Sequence, residues 1–240
     1  MKIRNRVFVK DHLEKGMTLT LDQRAAHYLF NVLRCQEDEY ISIFNESTEW
    51  LSKIDKINSK NVQISIEKNI KSADKREDIT LYFSPIKKNQ TELVIQKCTE
   101  IGVTNFQPVL MERTNFSSFN IDRLSLIAIE AIEQSEQMKI PSIFEPIQFE
   151  ELLSRDQKDH ITLVCSVGEN NDSIKNVLKN HSASNYSLLV GPEGDFSETE
   201  MHNLKNKENY FTVSLGDSVL KSETASIVAA GILKDCLQND

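Results

Sequence analysis

Apolar and polar positions alternate along the first part of the chain and then change period. Residues 6–10 are β-like in composition, and residues 40–44, 50–57 and 62–66 alternate apolar with polar side chains, as a strand with one buried face requires. One helix interrupts them, with Asp22 as its cap and Ala25, Ala26, Leu29, Val32 and Leu33 on one face. This first stretch predicts a small, mostly β domain. Residues 70–78 then read Ile-Lys-Ser-Ala-Asp-Lys-Arg-Glu-Asp, charged and nearly free of apolar residues. Such a stretch is a linker, so the expected domains are residues 1–70 and 71–240, with the boundary between 68 and 80.

Beyond the linker the pattern predicts strands at 79–84, 106–110, 161–165, 186–190 and 210–214. Between and after them it predicts helices at 91–101, 121–136, 174–179, 198–205 and 222–237. Strands alternating with helices make an α/β fold with a parallel sheet covered on both faces. Two glycine-containing loops follow the last two strands: Gly191-Pro192-Glu193-Gly194-Asp195-Phe196 and Leu215-Gly216-Asp217-Ser218-Val219-Leu220. Ligands of such sheets bind outside the carboxyl ends of the strands, where both loops lie. Glycine there lets a ligand approach the backbone, although a lone Gly-Pro-Glu-Gly also serves as an ordinary strand-to-helix turn. Ser197 and Glu200 have the spacing of a capping box, and Gly102 suits a helix C-terminus.

Composition narrows the candidates. The net charge of −8 is the wrong sign for a general nucleic-acid binder. The charge is uneven, however: residues 1–70 carry 11 Lys and Arg against 10 Asp and Glu, and the remainder 17 against 26. Any RNA contact is therefore expected in the first domain, which holds Arg4, Arg6, Arg24 and Arg34, half of the eight arginines. Cys35, Cys98, Cys165 and Cys236 form no CxxC pair, so neither a disulfide framework nor a zinc site is expected. No apolar run approaches the roughly 18 residues of a membrane span, and the expectation is a soluble cytoplasmic protein without metal. GxGxxG, Walker, HExxH and Ser-His-Asp signatures are absent, which removes the common dinucleotide, nucleotide and hydrolase readings.

Taken together, Leu189-Val190-Gly191-Pro192-Glu193-Gly194-Asp195-Phe196-Ser197 and Ser214-Leu215-Gly216-Asp217-Ser218-Val219-Leu220-Lys221-Ser222-Glu223-Thr224-Ala225 resemble the ribosomal RNA uridine-N3 methyltransferases of the SPOUT superfamily. His27-Tyr28-Leu29-Phe30-Asn31-Val32-Leu33-Arg34 resembles the signature of that family's PUA-like N-terminal domain. Glu100-Ile101-Gly102-Val103 and Glu130-Ala131-Ile132-Glu133-Gln134-Ser135 extend the resemblance over nearly the whole chain. Glu130, Glu133 and Gln134 would equally form the polar side of an amphipathic helix.

The resemblance implies a PUA-like β-barrel followed by a SPOUT domain whose chain is tied in a deep trefoil knot between residues 188 and 225. It implies S-adenosylmethionine as cofactor, small-subunit ribosomal RNA as substrate and a homodimer paired through the last helix. Leu189, Val190, Gly191, Pro192, Glu193, Gly194, Leu215, Gly216, Val219, Leu220, Thr224 and Ala225 would surround the cofactor, with Leu189, Val219 and Leu220 sandwiching its base. Glu223 would act as base or proton relay and Lys221 would stabilise the uracil oxygens; each would equally cap or flank the last helix. Arg4, Arg6, His27 and Arg34 would grip RNA, arginine's fork suiting phosphate. His27 and Arg34, seven residues apart, are expected on one helix face, which a solvated helix edge would also explain. Departures are Ser218 and Lys221 in the second loop, and Gln90 and Gln137, where the family carries arginine. They bear on RNA contact and the transfer step, so a divergent RNA-binding homologue with weak or no transfer, or an enzyme for another RNA, is the alternative.

Overall fold

A computed structural model describes residues 5–73, 78–115, 118–155, 159–168 and 171–238. The chain divides into two compact units, residues 1–76 with 132–140 and residues 77–131 with 141–240. Arg4 lies outside the described residues.

The first unit contains β1 (Arg6–Phe8), β2 (Thr18–Thr20), α1 (Gln23–His27), β3 (Tyr40–Phe44), β4 (Thr48–Ile57) and β5 (Val62–Ser72). They hydrogen-bond in the order β1-β3-β4-β5-β2, with β1 parallel to β3 and the other pairs antiparallel. Alternation does what it predicts: Ile54, Ile64 and Ile66 turn inward with Ile41 and Ile43 against Ala25, Ala26 and Leu29 of the helical tract. Asp22 caps α1, its Oδ1 accepting the Ala25 N–H at 2.7 Å. The tract then widens into one π turn over Tyr28–Val32, where the Leu33 N–H reaches back to the Tyr28 carbonyl. Arg34 lies past that turn in the left-handed region, at φ +56°. His27 and Arg34 therefore do not share a helix face as the spacing predicted, because the wider turn ends the helix between them.

Arg6 is the second correction. It is 6% exposed, and all five of its N–H groups are used. Nε and Nη2 form a fork on the two Glu49 oxygens at 2.8 and 2.9 Å. The remaining donors go to the carbonyls of Ile132, Glu133 and Gln137. The guanidinium also lies 4.1 Å from the centre of the Phe44 ring. No donor is left for phosphate, so Arg6 is a structural residue. Glu133, also buried, accepts the Phe8 N–H at 2.9 Å and both terminal nitrogens of Arg24.

The second unit runs through β6 (Ile79–Phe83), α2 (Lys88–Ile101), β7 (Asn105–Leu110), α3 (Ile121–Gln134), β8 (Ser142–Ile143), β9 (Ile147–Gln148) and α4 (Phe149–Ser154). It continues with β10 (His160–Cys165), β11 (Asp172–Ser173), α5 (Ile174–Asn180), β12 (Asn185–Val190), α6 (Glu198–Lys205), β13 (Tyr210–Ser214) and α7 (Ser222–Gln238). The last turn of α3 belongs to the first unit. Every strand pair is parallel, in the order β11-β13-β10-β12-β6-β7-β8 with β9 beside β7. One face, with Leu81, Phe83, Leu163 and Leu188, packs on α2, α3, α5 and α7; the other, with Tyr82, Val109, Val164 and Leu189, packs on α4 and α6. Cys98 and Cys165 are buried among apolar neighbours, and burial pushes the Cys165 thiol up to about 12, so both are protonated packing groups. Strand order reverses between β6 and β12, which puts the switch point of the sheet beside Val190.

Candidate active site

The carboxyl ends of β12, β6 and β7 lie side by side at this switch point. Ser84, just past β6, donates its N–H to the Val190 carbonyl at 3.1 Å and shares a 2.7 Å hydroxyl bond with Thr114 beyond β7. Past β12 the chain makes a turn in which the Asp195 N–H returns to the Pro192 carbonyl, and Asp195 rather than a glycine takes the left-handed conformation, at φ +60°. The glycines serve close approach instead. A Cβ on Gly191 would stand 3.2 Å from the Phe196 ring, and one on Gly194 would stand 3.3 Å from the Arg113 side chain. Arg113 Nη1 donates to the Gly194 carbonyl at 2.7 Å, so a cation from the end of β7 holds the loop.

Glu200 ties the next element in. Its Oε2 accepts the Ser197 N–H at 2.8 Å and the Ser197 hydroxyl accepts the Glu200 N–H, completing the predicted capping box. The other carboxylate oxygen accepts the Glu112 N–H at 2.8 Å, fastening α6 to the loop after β7. One buried carboxylate thus fixes two sides of the first glycine loop.

In the second loop Gly216 sits at φ +119° with nothing within 4 Å of the position a Cβ would take. The Ser214 hydroxyl accepts its N–H at 3.2 Å and closes a short turn. Residues 216–219 are exposed, Leu215 and Leu220 partly buried against the core. Ser222 then joins the two loops: its buried hydroxyl donates to the Gly191 carbonyl at 2.8 Å. From there α7 returns to pack on α2, β12 and β6. Glu223 stands in the first turn of α7, and Lys221, directly before the helix, is exposed.

The structure redistributes the expected contacts. The Ser222 bond brings Lys221 and Glu223, its chain neighbours, to Gly191 at the start of the Gly191-Pro192-Glu193-Gly194 loop, while Leu215 and Gly216 follow β13, which β10 separates from β12, and lead through Leu220 to the same junction. Leu189 cannot sandwich a base with its side chain, because it is fully buried among Val109, Val164, Phe196 and Leu204 on the opposite face from Val190. Val219 is 79% exposed at the loop tip, Thr224 is exposed, and Ala225 packs in the core. In the first unit His27 is exposed and within 2.8 Å of Asn31 through Nδ1, and Arg34 is exposed. Arg113, Phe196 and Ser222 were not singled out from the sequence. Arg113 could have been, since it lies three residues past a strand end where parallel sheets place their sites.

A profile of the RNA methyltransferase domain family matches residues 73–234, and one of the RNA methyltransferase PUA domain matches residues 21–67. The ribosomal RNA small subunit methyltransferase E of Rickettsia conorii is 30% identical over 228 residues, covering 94% of this chain and 93% of that protein. A putative methyltransferase of Legionella pneumophila, solved with bound S-adenosylmethionine, superposes with a TM-score of 0.86 at 25% identity, covering 98% of each chain. A ribosomal RNA small subunit methyltransferase E from Neisseria gonorrhoeae, also bound to S-adenosylmethionine, shares the fold with a TM-score of 0.87 at 24% identity over 96% of this chain and 97% of that one.

Proposed function

The chain belongs to the RNA methyltransferase family, and from that membership we propose that it transfers a methyl group from S-adenosylmethionine to N3 of a uridine in small-subunit ribosomal RNA. The observation that carries this reading is the Ser222–Gly191 bond. It joins two backbone-rich loops at the switch point of a parallel sheet and sets Lys221 and Glu223 at their junction. We infer that the return of α7 over β12 is the trefoil threading.

S-adenosylmethionine, when bound, supplies an electrophilic methyl group; the chain's own groups do the rest. Gly216, open on its Cβ side, fits a ligand held by main-chain groups, and Gly191 and Gly194 let Phe196 and Arg113 brace the first loop. Glu223 takes the N3 proton, and Lys221 faces the charge that this leaves on the uracil oxygens. Lys221 keeps the charge of the family arginine without its fork, which suits a point contact to one oxygen. Arg34 and His27, exposed in the first unit, contact RNA, and the cytoplasm is the proposed site of action.

Nucleoside mass spectrometry of ribosomal RNA from cells with and without the gene tests the reaction. N3-methyluridine should vanish from the small-subunit RNA without it; an unchanged level would refute the assignment. Exposed Leu93 and Ile232 on the packed helices α2 and α7 support a homodimer, for which light scattering of the purified protein should give twice the chain mass.

Gly216→Val tests the cofactor loop. A branched residue at φ +119° carries about 1–3 kcal/mol of strain, which an exposed loop relieves by moving. Affinity for S-adenosylmethionine should fall at least about tenfold with little change in melting temperature, since 1.4 kcal/mol is tenfold. Calorimetry showing wild-type affinity in the folded variant would place the cofactor elsewhere. Gly191→Val is the less clean test, because its Cβ meets the buried Phe196 ring and would disturb the fold as well.

A further inference from the structure

Parallel strands buried on both faces are ordinarily apolar throughout, yet one register row of this sheet is polar. On the face that packs on α4 and α6, Asn105 pairs with Thr80, Thr80 with Ser187, Ser187 with Thr162, and Thr162 with Tyr210. The interior of the row satisfies itself. The fully buried Ser187 hydroxyl donates to Thr162 at 2.9 Å, and His160 Nε2 lies 2.8 Å from the same oxygen. The Asn105 and Thr80 end opens into a cavity of about 280 Å³ lined by Thr80, Tyr82, Asn105, Gln107, Phe144 and Arg155. Thr80 and Asn105 lie at the amino ends of their strands, whereas the glycine loops follow the carboxyl ends. The cavity is therefore separate from the candidate active site.

Its chemistry is specific. Gln107 is locked, its amide nitrogen donating to the carbonyls of Pro108 and Glu145 at 3.1 and 2.8 Å, so its Oε1 faces Arg155, which donates to it at 3.2 Å. Arg155 is also paired with Glu151 at 3.0 Å, so its charge is balanced and it offers a flat face more than a phosphate hook. Phe144 is 46% exposed, so the cavity lining offers an aromatic ring as well as a planar guanidinium. Flat surfaces for stacking, with amide and hydroxyl groups beneath to read a polar edge, are what an unstacked nucleobase requires. A sugar packs its C–H face on an aromatic ring but has no π-system to stack on the guanidinium, and an isolated phosphate would need uncompensated charge. We propose that this cavity binds a single nucleobase, stacked on Phe144 and Arg155 and read by Asn105, Thr80 and Tyr82, with Gln107 holding the Arg155 guanidinium in place. The proposed reaction enters only in making an RNA strand the expected source; a free nucleoside has the same chemistry.

The test uses the full chain, with hexauridylate and hexaadenylate as strand probes and uridine and adenosine as free ones. Phe144→Ala, at an exposed site, should weaken binding of the preferred hexamer about tenfold, the scale of one base stack. The salt slope of binding, the melting temperature and the affinity for S-adenosylmethionine should stay as in the wild type. The side-chain amide resonances of Asn105 and Gln107 should shift with the matching nucleoside. If the hexamer displaces the nucleoside, the site takes RNA; if it does not, the site takes the free nucleoside. Unchanged hexamer affinity in Phe144→Ala together with unmoved amide resonances overturns the proposal. Because S-adenosylmethionine binding is measured in the same samples, failure of the methyltransferase reading registers separately.

Discussion

Arg6→Ala is expected to lower the unfolding free energy by about 3–5 kcal/mol, the scale for breaking a buried ion pair from one side. The size follows from what the change leaves behind. Glu49 is 6% exposed and would keep the Ser42 hydroxyl as its remaining hydrogen-bond donor, while the carbonyls of Ile132, Glu133 and Gln137 would lose the donor they share. A domain of ordinary stability holds about 5–15 kcal/mol in all, so the variant approaches the threshold of folding. The pH dependence separates a lost ion pair from lost packing. Burial pushes the Glu49 carboxyl up, but the Arg6 and Ser42 hydrogen bonds outweigh it and hold the group below its ordinary value near 4.5. A depressed folded value contributes stability above the unfolded one, and that contribution is lost as pH falls through the folded value. In Arg6→Ala the burial acts with its main opponent gone, the folded value rises, and acidification should recover part of the loss. Denaturant melts of both proteins at neutral pH and near pH 4 decide it: a stability gap that narrows in acid is the expected result, and a gap that does not change with pH would show that Arg6 acts through packing alone.

That residue also marks how far the sequence could be read. Alternation and helical spacing located the larger strands and helices, and residues 198–205 and 210–214 came out to the residue, because each signal is local. The first glycine loop was legible for the same reason, with Ser197 and Glu200 three positions apart. Elements too short to show a period, such as β2 and α4, were not legible. Neither was the π turn at Tyr28–Val32, which differs from a helix by one hydrogen-bond register. What escaped at the site was long-range. Arg113 meets Gly194 across 81 positions and Arg6 meets Gln137 across 131, and neither pairing leaves a trace in spacing. Leu189 was misassigned because a strand covered on both faces is apolar at every position, so nothing in Leu188-Leu189-Val190 tells which side chain faces which layer.

Glu223→Gln is expected to slow methyl transfer on bound RNA by about 10²–10⁴-fold, the range for loss of a positioned general base. The competing role for this carboxylate is structural, since it lies in the first turn of α7, where a negative charge favours the helix by about 0.3–1 kcal/mol. Glutamine keeps the shape and the hydrogen-bonding reach while removing the charge, so a purely structural role predicts a small fall in melting temperature and an almost unchanged rate. A base predicts the reverse, with affinity for S-adenosylmethionine retained because the loops are held by Ser222 and the strand ends rather than by Glu223. Deprotonation is what a base at this position would supply, and rising pH removes the uridine imide proton without help from the protein. The deficit of the variant should therefore shrink steadily as pH rises, and Glu223→Asp should retain part of the rate. Single-turnover measurements across that range are decisive: a wild-type rate in Glu223→Gln, or a deficit that stays constant with pH, would move the base to another residue of the loop junction.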